Sequence, residues 1–388
     1  MDFSFSPDQQ AIREAVFKIC EGFGDDYWLA KDKEGGYPLD FHRAFAEAGW
    51  LGVAMPEQYG GSGMGITEAA ILMQAVTESC AGGTGASAIH LNIFGLNPVA
   101  VFGTEEQKRR MLPPMIAGKE RTCFAVTEPN TGLNTLKLKT KAVRQGNHYV
   151  VNGEKVWISS AQAAHKILLL ARTQEPHKVA HPSLGLSLFY TDLDRRYVEI
   201  REIEKMSRKA IDANQLFIDG LKVPVEDRIG EEGRGFEYIL HGMNPERVLV
   251  AAESVGIGRN ALQRAARYAG ERVVFDRPIG MNQGVQHPLA EAWMELEAAN
   301  LMVFKAATLY DQGKPCGPEA NTGKYLAAQA GFKAAQTAVL THGGFGYAKE
   351  FHVERLMREV MLFRIAPISE QLVKCFIAEK VLGLPKSY

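Results

Sequence analysis

The sequence changes character at one segment, which reads Phe124-Ala125-Val126-Thr127-Glu128-Pro129-Asn130-Thr131-Gly132. A short apolar run ends here in a turn that contains Pro and Gly, the residues that most strongly interrupt regular structure. Such a turn exposes backbone N–H groups and the Thr127 hydroxyl as hydrogen-bond donors. Donors of this kind suit an acceptor-rich ring such as oxidised flavin, although a strand followed by a turn is by itself an ordinary feature.

A second segment predicts β-structure directly downstream: Tyr149-Val150-Val151-Asn152-Gly153-Glu154-Lys155-Val156-Trp157-Ile158. Its Asn-Gly pair lies between two β-rich runs and predicts a two-residue hairpin turn. Trp157 and the following Ser159 would place an aromatic wall beside a hydroxyl. Apolar or alternating runs predict further strands at 166–171, 186–190, 198–203 and 215–218. We therefore assign residues 122–230 to a middle β-domain.

Helical periodicity dominates on both sides of this β-domain. Ser6 can cap a first helix that has Pro7 in its first turn, and helical patterns recur at 40–49, 67–77 and 104–117. Asn244 and Pro245 can begin a long helix, which is followed by helical runs at 288–310, 321–340, 353–363 and 369–382. The predicted fold class is α+β, mostly α. It has an N-terminal helical domain (1–121), the middle β-domain and a C-terminal helical bundle (231–388).

Composition narrows the classes of function. The formal net charge is -1, so no basic excess predicts a nucleic-acid partner. No run of 18 apolar residues predicts a membrane span, and the N-terminus has no signal-peptide pattern. The five cysteines are scattered without metal-ligand or disulfide spacing, which predicts no metal site. A protein of the reducing cytoplasm fits these features best.

Two tempting motifs have plainer explanations. Residues 256–261 match the dinucleotide fingerprint Gly-x-Gly-x-x-Ala, but they lie in a helical pattern with no preceding strand, so close helix packing explains the glycines better. His241, His287 and His342 are far apart and lack metal-ligand spacing. We therefore expect each histidine to be satisfied individually.

Both β segments resemble motifs of the acyl-CoA dehydrogenase family, whose members carry a Thr-Glu-Pro-x-x-Gly-Ser turn and a Gly-x-Lys-x-Trp-Ile-(Ser/Thr) segment. Further family-like motifs follow in the same order along the chain. They are Asn244-Pro245-Glu246-Arg247 and the segments 271–280, 341–347 and 353–359. The resemblance covers essentially the whole chain in a single register.

The resemblance implies a specific fold and cofactor. The expected fold has an N-terminal helical domain, a middle β-barrel-like domain and a C-terminal four-helix bundle. The family binds FAD across a subunit interface, and its members are commonly homotetramers and sometimes dimers. The expected partners are an acyl-CoA substrate and an electron-transfer flavoprotein or similar acceptor, as in β-oxidation of fatty or branched acyl-CoA.

The resemblance also implies roles for individual residues. One group should line the flavin ring: Phe124, Val126, Thr127, Trp157, Ser159 and Ser369. Three residues should reach the FAD of a neighbouring subunit: Arg272, Phe275 and Gln283. Three more should lie near the adenosine half of FAD: Leu340, Gly343 and Gly344. Arg272 suits the pyrophosphate, because a guanidinium matches phosphate oxygens.

Several positions depart from the family pattern. Leu133 replaces the Ser that touches CoA, and Leu340 replaces a common Gln. Arg247 remains available for the CoA arm. Ala366 and Pro367 stand where many members have Tyr and the catalytic Glu. Because Ala366 is small, we expect a pocket with room for a branched, cyclic or bulky acyl group.

The reaction that the resemblance implies is α,β-dehydrogenation of an acyl-CoA thioester. It requires a carboxylate base, because a proton must leave the carbon α to the thioester carbonyl. Pro367 cannot accept one. A minority of the family takes the base from the helix after the β-domain, and the matching residue is Glu246. The alternative, non-catalytic interpretation of Glu246 is a carboxylate in the first turn of a helix, where it interacts favourably with the helix dipole. Glu370 is the next candidate. Two alternatives remain: the same fold and flavin used as an enoyl-CoA reductase or a flavin oxidase or monooxygenase, and a binding protein without catalysis.

Overall fold

The N-terminal part of the chain is helical, as predicted. The computed structural model describes residues 3–387. Ser6 caps the first helix with a capping box: its hydroxyl accepts from the Gln9 backbone, and the Gln9 side chain accepts from the Ser6 backbone. The helices of this part are α1 Pro7–Glu21, α2 Asp25–Glu34, α3 Leu39–Glu47, α4 Ile66–Glu78, α5 Gly82–Phe94, α6 Asn97–Phe102 and α7 Glu105–Ile116.

The middle part forms one eight-stranded sheet. Its strands are β1 Thr122–Ala125, β2 Lys141–Gln145, β3 His148–Ser159, β4 Lys166–Arg172, β5 Leu186–Asp192, β6 Val198–Glu202, β7 Ala213–Pro224 and β8 Arg228–Ile229. The strand order is β6-β7-β3-β2-β4-β5-β8, and β1 pairs parallel to β4. The central strand β4 is buried over nearly its whole length, as its continuous apolar run predicted.

The hairpin turn predicted at Asn152-Gly153 is wrong. The strand β3 continues through both residues, and the turn lies earlier, because Gln145 pairs with His148 across Gly146 and Asn147. Gly153 marks a register shift against β7 and has φ +155, and a Cβ there would lie 2.6 Å from the Thr140 Cα. Glycine is therefore required at residue 153 by a β-bulge and by the close approach of Thr140.

The C-terminal part returns to helices. Its elements are α8 Gly235–His241, α9 Met243–Glu271, β9 Val273–Val274, β10 Arg277–Pro278, α10 Gln283–Asp311, α11 Gly317–His342, α12 Val353–Val360, α13 Leu362–Ile365 and α14 Glu370–Lys380. The glycines of the dinucleotide-like motif lie inside α9. A Cβ at Gly256 would collide with Thr77, and one at Gly258 would lie 2.7 Å from Leu296. Close helix packing therefore explains both glycines.

The helix α5 lies at the centre of the molecule. The segment Gly82–Phe102 is long and apolar enough to cross a membrane by length and composition alone, and 67% of the window tested is buried inside the fold. Ile89 and Ile93 belong to the large apolar core shared with α4, α9 and α10. The apolar character of this segment is therefore that of a core helix.

Candidate active site

The Thr-Glu-Pro turn is held in place by a buried lysine. The Lys155 Nζ donates to the carbonyls of Val126 (3.0 Å) and Leu170 (2.8 Å) and pairs with Glu128 Oε1 at 3.1 Å. The Glu128 carboxylate also accepts from the backbone N–H groups of Lys139 (2.7 Å) and Thr140 (2.9 Å). The turn that carries Thr127 is thus fixed to β3 and β4 by groups that the sequence motif already contained.

Burial shapes the ionisation of this pair. It lowers the pKa of Lys155 to about 8, although Glu128 opposes the shift. For Glu128, burial raises the pKa, but Lys155 and the Thr140 and Lys139 donors together hold it below its usual range. Both groups are almost completely excluded from solvent, so each depends on the other for its charge.

The structure brings the predicted flavin-facing residues of β1 and β3 together. The Val156 N–H donates to the Thr127 carbonyl at 3.0 Å, which joins the turn to the strand. Phe124, Val126 and Thr127 are half-buried. Trp157 and Ser159 are exposed, and Ile158 between them is buried. Trp157 has φ +61 within an irregular stretch of pairing, and such bulges commonly redirect a side chain beside a functional site.

A second group of predicted residues lines an open cleft between α9 and the end of α11. The cleft has a volume of about 610 Å³, and Arg272, Gly343 and Gly344 line it together with Tyr268 and Phe345. A Cβ added at Gly343 or Gly344 would meet no atom of the described chain within 4 Å. A cationic guanidinium beside bare backbone is a donor set that fits the phosphates of a dinucleotide such as FAD.

Three predicted residues of this group lie outside the lining of the cleft. Phe275 is 94% exposed and Leu340 is 73% exposed, and Gln283 is exposed at the start of α10. Apolar side chains so exposed are typical of a surface that another subunit covers. These three residues do not line the cleft within one chain.

The proposed base belongs to a cluster that the sequence did not predict. Glu246 lies in the first turn of α9, and Glu253 lies two turns later on the same face. His90 of α5 bridges them: its Nε2 is 2.7 Å from Glu246 Oε2, and its Nδ1 is 2.6 Å from Glu253 Oε1. A histidine among the apolar residues of 86–94 and two carboxylates seven residues apart were the signals in the sequence, but neither shows contact between the two helices.

The cluster is only partly accessible to solvent: Glu253 is buried, and His90 and Glu246 are half-buried. Burial lowers the pKa of His90, but Glu246 and Glu253 outweigh it and raise that pKa well above its ordinary value. Next to Glu246, the Arg247 Nη1 donates to Asn244 Oδ1 at 3.0 Å. The buried Arg247 Nε has no hydrogen-bond partner within residues 3–387. An unpaired buried donor of this kind is rare and can serve a bound acceptor such as a carbonyl or phosphate oxygen.

The other carboxylate candidate is already engaged. Glu370 is buried, and its Oε1 accepts from the Arg364 Nε at 2.8 Å. Ser369 caps α14 through a hydrogen bond to the Leu372 N–H, while Pro367 is exposed and Ala366 is half-buried in the preceding turn. Leu133 is 54% exposed in the loop after the Thr-Glu-Pro turn. Glu370 is therefore paired with an arginine of the preceding turn, whereas Glu246 is paired with His90.

Two of the three widely spaced histidines, His342 and His241, have ordinary partners. The His342 Nδ1 is 2.8 Å from the Ala338 carbonyl, and its ring stacks on Tyr268 at 4.2 Å. The His241 Nδ1 lies 3.2 Å from Asn97 Oδ1. The plain interpretation of these two residues is therefore confirmed, whereas the functional histidine candidate is His90.

Comparison with known proteins matches nearly the whole chain to one protein family. Residues 6–119, 123–221 and 233–382 match the family models for the N-terminal, middle and C-terminal domains of acyl-CoA dehydrogenases. The chain is 38% identical to the acyl-CoA dehydrogenase FadE12 of Mycobacterium tuberculosis, with all of both chains covered. It is 31% identical to an NADH-dependent acryloyl-CoA reductase of Anaerotignum propionicum, over 98% of this chain and 96% of that one.

Solved structures agree. Butyryl-CoA dehydrogenase of Megasphaera elsdenii superposes with a TM-score of 0.93 at 27% identity, over 98% of this chain and 100% of that one. The three-domain fold, the three matched family models and the donor set for a dinucleotide lead to one conclusion. The chain belongs to the acyl-CoA dehydrogenase family and is an FAD-dependent oxidoreductase.

Proposed function

We propose that this enzyme removes the α-proton of an acyl-CoA thioester with Glu246, so that α,β-dehydrogenation yields the trans-2-enoyl-CoA. The observation that carries the proposal is the contrast between two carboxylates. Glu246 lies beside an unpartnered Arg247 Nε and is held at 2.7 Å by His90, whereas Glu370 is committed to Arg364. The position of the usual base is occupied by Pro367, which removes the main competitor.

Each residue of the site has a separate task in this proposal. FAD, when bound, supplies the hydride acceptor. Glu246 accepts the proton at a carboxylate oxygen, and Arg247 offers its free Nε–H to an oxygen of the CoA thioester arm. Trp157 and the turn at Thr127 cover the flavin site from β3 and β1. Arg272, Gly343 and Gly344 bind the phosphates and adenosine half of a neighbouring subunit's FAD, with Phe275, Gln283 and Leu340 beside them.

The test is anaerobic bleaching of the flavin by acyl-CoA in matched carboxylate variants. Loss of a general base typically lowers the rate by about 10²–10⁴-fold, and we expect a loss of that order in Glu246→Gln. Glutamine keeps the shape of the side chain and can still accept from His90. The control Glu370→Gln should remain within a few-fold of wild type. Bleaching by Glu246→Gln at the wild-type rate would refute the proposal.

The acyl group is proposed from the turn at Ala366. Because Ala366 and Pro367 replace larger or polar residues of the family pattern, we expect a pocket that accepts branched, cyclic or otherwise bulky acyl groups. A panel of acyl-CoAs with a ferrocenium acceptor measures this directly. Activity restricted to short straight chains would contradict it.

Oligomeric state and acceptor are further parts of the proposal. The helix α10 exposes Trp293, Met294 and Leu301, each more than half accessible, and Phe275 extends the same apolar character. A surface of this kind supports a homo-oligomer, with a tetramer preferred to a dimer. Light scattering of the FAD-loaded protein should report an oligomer; a monomer would contradict the proposal. We expect an electron-transfer flavoprotein as acceptor and a cytoplasmic location.

A second candidate is the reverse reaction, because one relative with 31% identity is an acryloyl-CoA reductase. The same base would then donate the proton to the α-carbon. Reduction of an enoyl-CoA by NADH in the presence of the purified enzyme, faster than oxidation of the matching acyl-CoA, would favour this candidate. Oxygen consumption with peroxide formation would instead favour the oxidase variant of the same chemistry.

A further inference from the structure

The geometry of the His90, Glu246 and Glu253 cluster limits which of its atoms can carry protons. Carboxylates that are ionised can only accept hydrogen bonds, and a neutral imidazole has only one N–H. Both ring nitrogens lie within 2.7 Å of a carboxylate oxygen. With both carboxylates ionised, the two contacts are satisfied together when the ring is an imidazolium that donates from both nitrogens, which places one positive charge between two negative charges.

Other charges around the cluster do not replace this arrangement. From α9, Arg247 lies beside Glu246, but its buried Nε points to no group of the described chain. From the segment after β6, the Arg208 Nη1 donates to Ser87 Oγ at 2.6 Å and interacts with Glu253 and Glu359. From α12, Glu359 is engaged by Arg355 (3.0 Å) and by the Gly83 N–H (2.8 Å). His90 is the charged group that touches both Glu246 and Glu253.

We propose that His90 is a positioning residue that fixes the direction of the Glu246 carboxylate and places a positive charge beside it, and that Glu253 holds His90 in its bridging position. The inference rests on the proposed role of Glu246 as the base. A positive charge beside a carboxyl group favours its ionised form, whereas a second carboxylate nearby opposes it. Glu253 compensates by holding the imidazolium through Nδ1, which fixes the ring orientation that presents Nε2 to Glu246.

Two variants should therefore move the pH profile in opposite directions. His90→Asn removes the positive charge and leaves two carboxylates close together. The acidic limb of kcat/KM should shift upward by roughly one to two pH units. Glu253→Gln removes the negative charge, while the glutamine amide oxygen can still accept from the His90 Nδ1 and keep the ring in place. The same limb should therefore shift downward. A residue that only supports packing would lower activity without moving the limb in these opposite senses.

The experiment measures kcat/KM for one acyl-CoA from pH 5 to 9 with the FAD-loaded variants, and His241→Asn is the matched control. In His90→Asn, activity at pH 9 should return to within about tenfold of wild type, because the base itself is intact. The control should follow the wild-type profile. If His90→Asn is not recovered folded, the direction of the Glu253→Gln shift decides alone.

The outcomes separate the two proposals. Opposite shifts support the positioning role of His90. An unchanged acidic limb in both variants, or shifts in the same direction, overturns that role while leaving Glu246 in place. Retained flavin bleaching in Glu246→Gln would overturn the proposed base itself, whatever the profiles of the other variants.

Discussion

Replacement of Lys155 by Met should destabilise the folded protein by about 3–5 kcal/mol at pH 7, the usual cost of removing one partner from a buried ion pair. The substitution preserves the length of the side chain but removes the ammonium that binds Glu128 and the carbonyls of Val126 and Leu170. Glu128 then keeps its donors from Lys139 and Thr140 but has lost its cationic partner. The turn that carries Thr127 should loosen at the same time.

Protonation of Glu128 sets an upper limit on the stability that Lys155→Met loses. A buried carboxylate can escape an unpaired charge by binding a proton. With an ordinary pKa of 4.5, that uptake costs about 3.4 kcal/mol at pH 7 and about 1.4 kcal/mol at pH 5.5. The two carbonyls that lose Nζ add about 1–3 kcal/mol. The penalty of Lys155→Met should therefore shrink by about 2 kcal/mol as the pH falls from 7 to 5.5.

The assay is urea unfolding of the FAD-saturated protein at fixed subunit concentration, followed by far-UV circular dichroism at both pH values. Fixed FAD and protein concentrations are needed because both shift the apparent stability. Lys139→Met is the matched control, because it removes an exposed lysine from the same loop and should change stability by less than about 0.5 kcal/mol. A penalty that is small at pH 7, or that grows toward pH 5.5, would refute the reasoning.

Arg272→Ala should weaken FAD binding by roughly 10- to 150-fold, since a charge-assisted hydrogen bond contributes about 1.5–3 kcal/mol; equilibrium dialysis of FAD measures this, with exposed Arg277→Ala as the control. Phe275→Ser should weaken subunit association, which light scattering over a dilution series detects; an unchanged oligomer would contradict the assigned interface. His352→Asn should reduce the loss of stability in acid. Burial lowers the pKa of His352 from 6.5 to about 4, so the unfolded chain binds this proton first and wild-type stability falls between pH 6.5 and 4, by at most about 3 kcal/mol. Asparagine tolerates the φ of +62 at this position, and equal pH slopes of the two melting temperatures would count against this explanation.

Much of the fold could be predicted from local patterns. Ser6 and Pro7 marked a helix start, the run at 166–171 marked a buried strand, and Asn244-Pro245 lay within one residue of the start of α9. These signals are local, because caps, proline and side-chain periodicity act within a few residues. The hairpin at Asn152-Gly153 failed for the same reason. Glycine is required there by the close approach of Thr140 and by the pairing with β7. Neither is visible in the few residues on either side of Gly153.

The sequence by itself determined the order of helical and β regions, the motifs of the family, and the absence of a carboxylate at Pro367. It identified Glu246 as a candidate base but gave it no partner. Only the tertiary structure brought His90 to Glu246 across 156 residues of chain, and only it showed Lys155 holding Glu128 and Arg364 holding Glu370. The physical reason is that periodicity fixes which face of a helix is apolar, whereas contact between two polar side chains depends on how distant helices pack.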